Sequence, residues 1–400
     1  MLSVISPAEA LEILKKSFLP LGKTEYVKIE EASGRVLSRD VFSEEFIPPF
    51  DRSTVDGFAV CCADTYGAGE NMPAMLTLKG EILMGEEPEN SISRGECMKI
   101  STGGMLPEGA DAVVMVENTE DGFEGMCLCN KSVALFENVT RKGDDIKAGD
   151  RVLSKGTVIN SSSVGSLAAL GISEIPCVKK PVVGIISTGD EIIDYREKPN
   201  TGKIRDVNSV LLCSLLKENG CDVINYGIIK DKKEQLTEAF FKALGECDTV
   251  LLSGGSSKGE RDMTAEIISE RGELLFHGLS LKPGKPTILG SCDGKAVFGL
   301  PGHPAAAYFV ALRLVIPFIE LLTETKREKR TGKYILSQDI PSNHGREEMV
   351  AVKICDGRIS PVFGKSGLVT LLSESDGYII IDRNREGVFK DEETEVFFIK

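Results

Sequence analysis

Four short segments that contain glycine, and in part lysine or acidic residues, each follow a predicted strand between residues 182 and 300. Glycine lets backbone N–H groups approach phosphate oxygens, and lysine supplies a compact cation. These properties together predict a site for a phosphorylated, anionic ligand. The segments are Thr188-Gly189-Asp190-Glu191, the stretch 253–262 (SGGSSKGERD), Lys282-Pro283-Gly284-Lys285-Pro286, and Pro301-Gly302-His303-Pro304.

Carboxylates in and near these segments suit a divalent cation. Asp190, Glu191, Asp231 and Asp262 offer the hard oxygen donors that Mg²⁺ prefers. Each feature also has a structural explanation: Asp190 and Asp231 could cap helices, a Ser-Gly-Gly run is often a turn, and the two lysines could be surface charges. Four such segments at one end of one sheet are a stronger signal than any one alone.

The elements that must position these residues alternate between strand and helix. Apolar runs predict strands at 182–187, 223–229, 249–252, 274–280 and 296–300, and helical periodicity predicts helices at 232–244, 263–271 and 304–322. A further helix is predicted from Asn208, as its cap, to Gly220. Such alternation predicts a mostly parallel, doubly wound sheet, in which ligands bind at the carboxyl ends of the strands.

The remaining segments predict all-β modules and a few helices. Ser6, Pro7 and Glu9 form a capping-box pattern that starts a helix, and a second helix spans 162–170 before Gly171. Short runs between glycines from 46 to 141 predict a small antiparallel β domain, a barrel by preference, with strands at 75–84, 97–101, 112–117 and 132–137. After a charged linker at 323–332, strands at 334–340, 348–355, 378–382 and 395–399 predict another all-β module.

Composition narrows the class of protein. A net charge of −14 without basic runs excludes a nucleic-acid or membrane-surface binder. No apolar run approaches the roughly 18 residues that cross a bilayer, and no export signal is visible, so we expect a cytoplasmic protein. The eleven cysteines lack a C-x-x-C pair and only three histidines exist, which predicts buried reduced thiols and not a zinc site.

The motifs keep the order of a known family along nearly the whole chain. The chain resembles the molybdopterin molybdenumtransferases of the MoeA/gephyrin E-domain family. The matching residues are Asp51-Arg52-Ser53-x-x-Asp56-Gly57, Ser101-Thr102-Gly103, Gly143-Asp144-Asp145, Ser187-Thr188-Gly189-Asp190-Glu191, Asp206-x-Asn208-Ser209, Ser253-Gly254-Gly255 with Gly259-x-x-Asp262, Lys282-Pro283-Gly284-Lys285-Pro286, and Gly299-Leu300-Pro301-Gly302-x-Pro304.

The resemblance implies four domains and an elongated homodimer whose cleft is shared between subunits. We expect a discontinuous α+β domain at 1–45 and 146–177, an inserted β-barrel-like domain at 46–145, an α/β domain at 178–325 and a C-terminal β-barrel at 326–400. The implied reaction inserts molybdenum from molybdate into adenylylated molybdopterin, with Mg²⁺, and releases AMP. Other enzymes of molybdenum cofactor biosynthesis are candidate partners.

The resemblance also implies roles for individual residues. The implied catalytic set is Asp56, Thr102 and Asp145 on the partner-facing side, with Glu191, Asp231 and Asp262 in the cleft; the implied Mg²⁺ ligands are Asp190, Glu191, Asp231 and Asp262. The implied substrate-binding residues are Ser53, Thr188, Gly189, Asn208, Ser253, Gly254, Gly255, Ser256, Lys282, Lys285, Pro301, Gly302 and Pro304.

Two other functions share parts of this pattern. A molybdopterin adenylyltransferase has a related α/β domain and Ser-Gly-Gly loop, but its chain is normally little more than that domain. A dimeric scaffold of the gephyrin type would bind partner peptides without catalysis. The 180 residues before Pro181 disfavour the first, and the intact acidic set disfavours the second.

Overall fold

The structure is a computed structural model that describes residues 4–123, 125–254, 258–362, 364 and 369–399, without the side chains of 258–262. Helix α1 spans Pro7–Ser17. Ser6 Oγ accepts the Glu9 N–H at 3.2 Å, and the Glu9 carboxylate accepts the Ser6 N–H at 2.7 Å. This capping box confirms the predicted helix start. Strand β1 follows at Thr24–Lys28.

A curled six-stranded sheet dominates the segment between residues 39 and 155. The elements of this part of the chain are β2 Val41–Phe42, β3 Arg52–Ser53, β4 Gly57–Val60, β5 Ala74–Ile82, β6 Glu96–Ile100, β7 Ala112–Met115, β8 Thr119–Asp121, β9 Met126–Cys129, β10 Val139–Thr140, β11 Arg151–Leu153 and helix α2 Ser161–Ala169. The sheet order is β7-β4-β6-β5-β9-β8, and all its pairs are antiparallel except β5 with β6, which are parallel.

One predicted strand of this segment is wrong. Residues 132–134 are irregular and residues 135–138 form a turn, with Phe136 and Asn138 at a φ of 60°. An extended strand cannot contain that left-handed backbone conformation. The predicted helix at 162–170 is confirmed within one residue, and Gly171 ends it at a φ of 66°.

Strands and helices alternate in the α/β region, as predicted. The elements are β12 Glu174–Val178, β13 Val182–Thr188, β14 Ile192–Ile193, β15 Ile204–Arg205, α3 Asn208–Glu218, β16 Asp222–Ile229, α4 Lys233–Glu246, β17 Thr249–Gly254, α5 Lys258–Arg271, β18 Gly272–His277, β19 Leu281–Lys282, β20 Ile288–Cys292, β21 Lys295–Leu300, α6 Pro304–Val310 and α7 Ile316–Thr323. The sheet order is β16-β13-β17-β21-β20-β18; its first four strands are parallel, and β20 runs antiparallel to both neighbours.

Neighbouring residues of the central strands face two separate cores. Ile185 and Leu251 belong to a core that also holds residues of α1, α3, α6 and α7, whereas Ile186 and Leu252 face α4 and α5. A sheet buried on both faces needs helices on both sides. The predicted doubly wound, mostly parallel sheet is confirmed, with β20 as a strand that the sequence did not predict.

The prediction that no apolar run is long enough to cross a bilayer is wrong for one helical stretch, Pro304–Thr323. Its mean hydropathy is 1.9 over a window that is 72% buried, and a π-helical turn at Ala311–Val315 separates α6 from α7. Phe309, Leu314 and Phe318 are buried in the first α/β core. The stretch packs as a core helix.

A closed five-stranded barrel forms the C-terminal module. Strand β24 pairs with β25 and β26, and β22 and β28 complete the ring in the order β24-β25-β22-β28-β26. This confirms the predicted C-terminal barrel. The elements are β22 Thr331–Leu336, β23 Ile340–Pro341, β24 Glu347–Cys355, β25 Arg358–Pro361, α8 Thr370–Glu374, β26 Gly377–Ile381, β27 Gly387–Val388 and β28 Glu393–Phe398.

The chain divides into two compact units, which we describe separately. The first comprises residues 1–38, 156–160 and 175–400, and the second comprises residues 39–155 and 161–174. The four predicted domains remain a prediction at their stated boundaries. All eleven cysteines are free thiols, and eight of them are buried, as expected.

Candidate functional site

The ends of the parallel strands bring the predicted glycine-rich segments to one edge of the sheet. Thr188 at the end of β13 pairs with Gly254, and Ser253 pairs with Leu300 at the end of β21. Strand β18 runs in the same direction as β21, because both are antiparallel to β20. The segments after β13, β17 and β21 therefore begin at the carboxyl edge, where ligands bind in sheets of this type, and β18, which precedes the Lys282 segment, ends at the same edge.

Asp231 connects the ends of two neighbouring strands. Its Oδ1 accepts a hydrogen bond from Thr188 Oγ1 at 2.6 Å, and its Oδ2 accepts the Asp190 N–H at 3.1 Å. Helix α4 begins after Lys232 without a side-chain cap, so Asp231 does not have the capping role that was one alternative. Its carboxylate fixes the segment that follows β13.

Asn208 bridges two of the other segments. The side chain is 7% exposed, and its Nδ2 donates to Ser253 Oγ and to the Gly302 carbonyl, both at 2.9 Å. Its Oδ1 is buried and has no hydrogen-bond partner within the described residues. The prediction that Asn208 caps α3 is wrong, because Asp206 Oδ1 accepts the Ser209 N–H at 3.1 Å instead.

A cavity of about 490 Å³ lies directly against Asn208 and Ser253. Ile192 and Ile204 contribute apolar surface, and the backbone of Gly302 contributes to the wall together with His303 and Pro304. This volume is within the range of small-molecule sites, which combine apolar walls with a few placed polar groups. Asn208 contributes to the wall of this cavity by holding the Ser253 and Gly302 segments together.

Two cations on the same cavity wall were missed by the sequence analysis. Lys203 and Arg205 line the cavity. Lys203 Nζ donates to the Asp190 carbonyl, and Arg205 Nε donates to the Glu197 carbonyl at 3.0 Å. The sequence signal for both cations was their position within three residues of Asp206, which starts the Asp206-x-Asn208-Ser209 motif. They supply positive charge to a protein whose net charge is −14.

Two glycines at the strand ends are required by the backbone. Gly254 has a φ of 142°, and a Cβ there would lie 1.9 Å from the Thr188 carbonyl oxygen. Gly189 has a φ of 150°, and a Cβ there would lie 2.9 Å from Glu191 Oε2. No side chain fits the first position without moving the backbone. The Glu191 carboxylate therefore lies beside the glycine turn, half-buried.

The two predicted lysines differ in their surroundings. Lys282 Nζ lies 2.8 Å from Glu348 Oε1, across the contact with the barrel. The Lys285 side chain is exposed, and the backbone carbonyl of Lys285 accepts the Leu279 N–H at 2.9 Å. Pro301 and Gly302 follow β21, where their carbonyls face Asn208.

Part of the predicted site lies outside the described residues. Gly255 and Ser256 are not described, nor is the side chain of Asp262. Across the described side chains, no three histidines, cysteines or carboxylates are arranged as a metal site. The metal assignment to Asp190, Glu191, Asp231 and Asp262 remains a prediction.

Three of the four predicted residues of the second unit, Ser53, Asp56 and Thr102, lie close together, whereas no contact joins Asp145 to them within the described residues. Asp56 Oδ1 accepts hydrogen bonds from Thr102 N at 2.7 Å and Thr102 Oγ1 at 3.0 Å. Both bonds lower the pKa of Asp56, and the bond from the backbone N–H has the larger effect. Buried Ser53 accepts the Gly103 N–H at its carbonyl at 2.7 Å. Asp145 is exposed and its N–H donates to the Ile47 carbonyl at 3.0 Å.

Fold and site together define a multidomain α/β protein with a ligand cavity at the carboxyl edge of its sheet. Residues 5–171 match the profile of the MoeA N-terminal region (domain I and II), residues 184–321 match that of a probable molybdopterin binding domain, and residues 333–399 match that of the MoeA C-terminal region (domain IV).

Relatives match the chain over nearly its whole length. A protein of Methanocaldococcus jannaschii named for molybdopterin biosynthesis is 38% identical over 94% of this chain and 93% of the relative. The molybdopterin molybdenumtransferase of Bacillus subtilis is 31% identical over 96% and 91%. A crystal structure of a molybdopterin biosynthesis MoeA protein from Pyrococcus horikoshii OT3 has a TM-score of 0.89 at 33% identity, covering 99% of this chain and 100% of that one. The chain belongs to the MoeA family.

Proposed function

We propose that this protein inserts molybdenum from molybdate into adenylylated molybdopterin, with release of AMP and the finished cofactor. The observation that carries the proposal is the cavity of about 490 Å³ beside Asn208, in a chain that matches molybdopterin molybdenumtransferases along its length. The cavity combines apolar walls with two cations. A phosphorylated heterocycle has the complementary chemistry.

Each part of the cavity has a proposed contact with the substrate. Lys203 and Arg205 would meet phosphate oxygens, and Asn208 would keep the Ser253 and Gly302 segments in place around the substrate. The glycines at 189 and 254 would let phosphate oxygens approach the backbone. Thr188 and Asp231 would keep this edge rigid.

The reaction needs no covalent nucleophile from the protein, because the dithiolene sulfurs of the substrate take the metal. Catalysis would rest on positioning and on electrostatic stabilisation of charge that develops as the phosphoanhydride breaks. The proposed catalytic set stays Asp56, Thr102, Asp145, Glu191, Asp231 and Asp262.

The residues at the carboxyl edge fit Mg²⁺ in part. Glu191 and Asp190 offer hard oxygen donors beside the glycine turn, and Mg²⁺ commonly binds one or two carboxylates together with substrate phosphates. Both Asp231 oxygens already accept hydrogen bonds from the protein. Glu191 and Asp190 are therefore the ligands proposed first, and such an ion would supply charge neutralisation at the phosphates.

The test is AMP release from adenylylated molybdopterin by the purified full chain. We expect release that depends on both molybdate and Mg²⁺, and that falls at least tenfold in Asn208→Leu. Asn225→Leu, on an exposed part of β16, is a matched control that should keep full activity. AMP release that ignores molybdate would contradict the proposal.

The two other functions receive no separate support. The MoeA N-terminal and C-terminal matches extend well beyond the α/β segment, which a molybdopterin adenylyltransferase would not require. Transfer of AMP from ATP to molybdopterin would favour that activity. Unchanged cofactor production by Glu191→Ala cells at low molybdate would favour a non-catalytic scaffold.

A homodimer, a cytoplasmic location and contacts with other cofactor-biosynthesis enzymes are part of this proposal. The resemblance assigns Asp56, Thr102 and Asp145 to a cleft shared between subunits. Sedimentation velocity of the purified chain tests the dimer: a species of one chain mass, 43.3 kDa, would contradict it.

A further inference from the structure

The lysine segment that begins at Lys282 is attached to the C-terminal barrel by its backbone. Strand β19 pairs in parallel with β24, with Leu281 opposite Glu347 and Lys282 opposite Glu348. Ser280 accepts the Glu347 N–H at 3.0 Å, and its Oγ donates to the Gly345 carbonyl at 2.6 Å. The barrel strand therefore sets where the lysine segment leaves the α/β sheet.

Three side chains continue this attachment through an ion pair and a hydrogen bond. Lys282 Nζ lies 2.8 Å from Glu348 Oε1, and Ser342 Oγ donates to Glu348 Oε2 at 2.7 Å. The Glu348 side chain is 12% exposed, whereas that of Lys282 is 47% exposed. The acid is thus the anchored partner and the lysine is the accessible one.

The pair lies on the wall of a second cavity, of about 400 Å³. Apolar side chains of Phe309, Met349 and Leu371 contribute to its lining. An ammonium has three N–H donors, and Glu348 accepts one of them. The other two donors remain available to an arriving anion, because the Lys282 side chain is 47% exposed.

We infer that Glu348 is a positioning residue for substrate binding: it holds the Lys282 ammonium at this cavity so that the remaining N–H donors meet an oxyanion of the substrate. The inference rests on the proposed function. The pair is not an ordinary surface ion pair, because its carboxylate is largely buried and fixed by a second hydrogen bond. The oxyanion belongs either to molybdate or to a phosphate of the second substrate.

Steady-state kinetics of AMP release by the full chain separate these sources. KM for molybdate is measured at saturating adenylylated molybdopterin, and KM for adenylylated molybdopterin is measured at saturating molybdate. Glu348→Ala and Lys282→Ala should each raise the same KM about tenfold, the value of one charge-assisted hydrogen bond, with kcat within about twofold. Glu348→Gln keeps an oxygen acceptor for Lys282 and should raise that KM about threefold or less.

A double variant tests whether the two residues act as one unit. Glu348→Ala with Lys282→Ala should be no worse than Lys282→Ala alone, since a positioning residue has no effect once its target is gone. Glu393→Ala is the matched control: it breaks an exposed ion pair with Lys333, 3.2 Å apart, on the same barrel, and should change neither KM. If Glu348→Ala does not fold, Ser342→Ala should raise the same KM by a smaller factor.

Three results would overturn the inference. Unchanged KM values in Glu348→Ala, with one KM raised in Lys282→Ala, would remove the role of Glu348 and leave the proposed function standing. If the KM increases of the two single variants multiplied in full in the double variant, Glu348 would likewise have no role through Lys282, and the proposed function would stand. A wild-type chain without molybdate-dependent AMP release would overturn the proposed function and this inference together, and no KM for molybdate would then exist.

Discussion

Thr188 donates its hydroxyl hydrogen to Asp231 Oδ1 at 2.6 Å, although 43 residues separate the two along the chain. Thr188 is 4% exposed, so its hydroxyl needs an acceptor within the protein, and Asp231 supplies it. The other oxygen of the same carboxylate accepts the Asp190 N–H at 3.1 Å. One carboxylate two residues beyond the edge strand β16 thereby fixes the start of the predicted phosphate-binding segment.

Asp231→Ala should destabilise the fold by about 1–3 kcal/mol, because it leaves the buried Thr188 hydroxyl without an acceptor. AMP release should fall at least tenfold, since the segment after β13 loses its anchor. Asp231→Asn keeps an oxygen toward Thr188 and should lose less stability than Asp231→Ala. Urea unfolding and the AMP assay measure both effects; equal stability of Asp231→Ala and the wild type would contradict the structural part.

A second prediction concerns Gly254. Gly254→Ala should unfold or inactivate the protein, because the new Cβ would lie 1.9 Å from the Thr188 carbonyl oxygen at a φ of 142°. Gly245→Ala is the matched control: this glycine lies within α4, and a Cβ there meets nothing within 4 Å. The control should gain roughly 0.5–1 kcal/mol of stability from its higher helix propensity. Thermal unfolding compares the two, and a Gly254→Ala variant as stable as the control would refute the prediction.

Short-range patterns made much of the fold predictable. The capping box of Ser6 and Glu9 involves residues three apart, and the buried run of β13 records burial on both faces. The same kind of pattern failed at 132–137, where a run of four apolar residues, 133–136, leads into a turn. Periodicity reports which side chains are buried, but two residues with positive φ, Phe136 and Asn138, override it there.

The site was less predictable than the fold, because its contacts join distant residues. The types of Asn208 and Asp231 suggested helix caps, yet both side chains bind segments about 45 residues away. Residue type predicted that Lys282 is cationic, but not that the barrel residue Glu348 holds it. Such contacts follow from strand order and register, which local propensity does not contain.

The acidity of Asp56 gives a third prediction. Hydrogen bonds from Thr102 lower the pKa of Asp56 in the folded protein. They therefore stabilise the fold at pH values above the pKa that Asp56 has in the unfolded chain, and this stabilisation is lost as pH falls through the pKa of Asp56 in the folded protein. Thr102→Val removes the hydroxyl donor and keeps the backbone donor. The pKa of Asp56 should therefore rise part of the way to its ordinary value. Carboxyl-carbon NMR titration measures it, with Thr102→Ser as the control that should keep the wild-type pKa; identical pKa values in the valine variant would contradict the assignment.

The last prediction concerns Glu320, a half-buried residue of α7 on the wall of a cavity beside α1. Burial raises the pKa of Glu320, and Lys329 and Arg327 only partly oppose it. A carboxyl whose folded pKa is raised contributes stability that is fully present below its unfolded pKa and is lost as pH rises through the folded pKa. Glu320→Gln stays neutral at every pH, so it should be more stable than the wild type at pH 8 and equal to it at pH 4.

Urea unfolding at pH 4, 6 and 8 follows this difference directly. Glu328→Gln is the matched control, since it removes a carboxylate at an exposed position of the segment that follows α7. Its stability should track that of the wild type at all three values of pH, because a carboxylate that stays in water costs nothing to keep ionised. A Glu320→Gln variant without added stability at pH 8 would show that the cavity hydrates this carboxylate in solution.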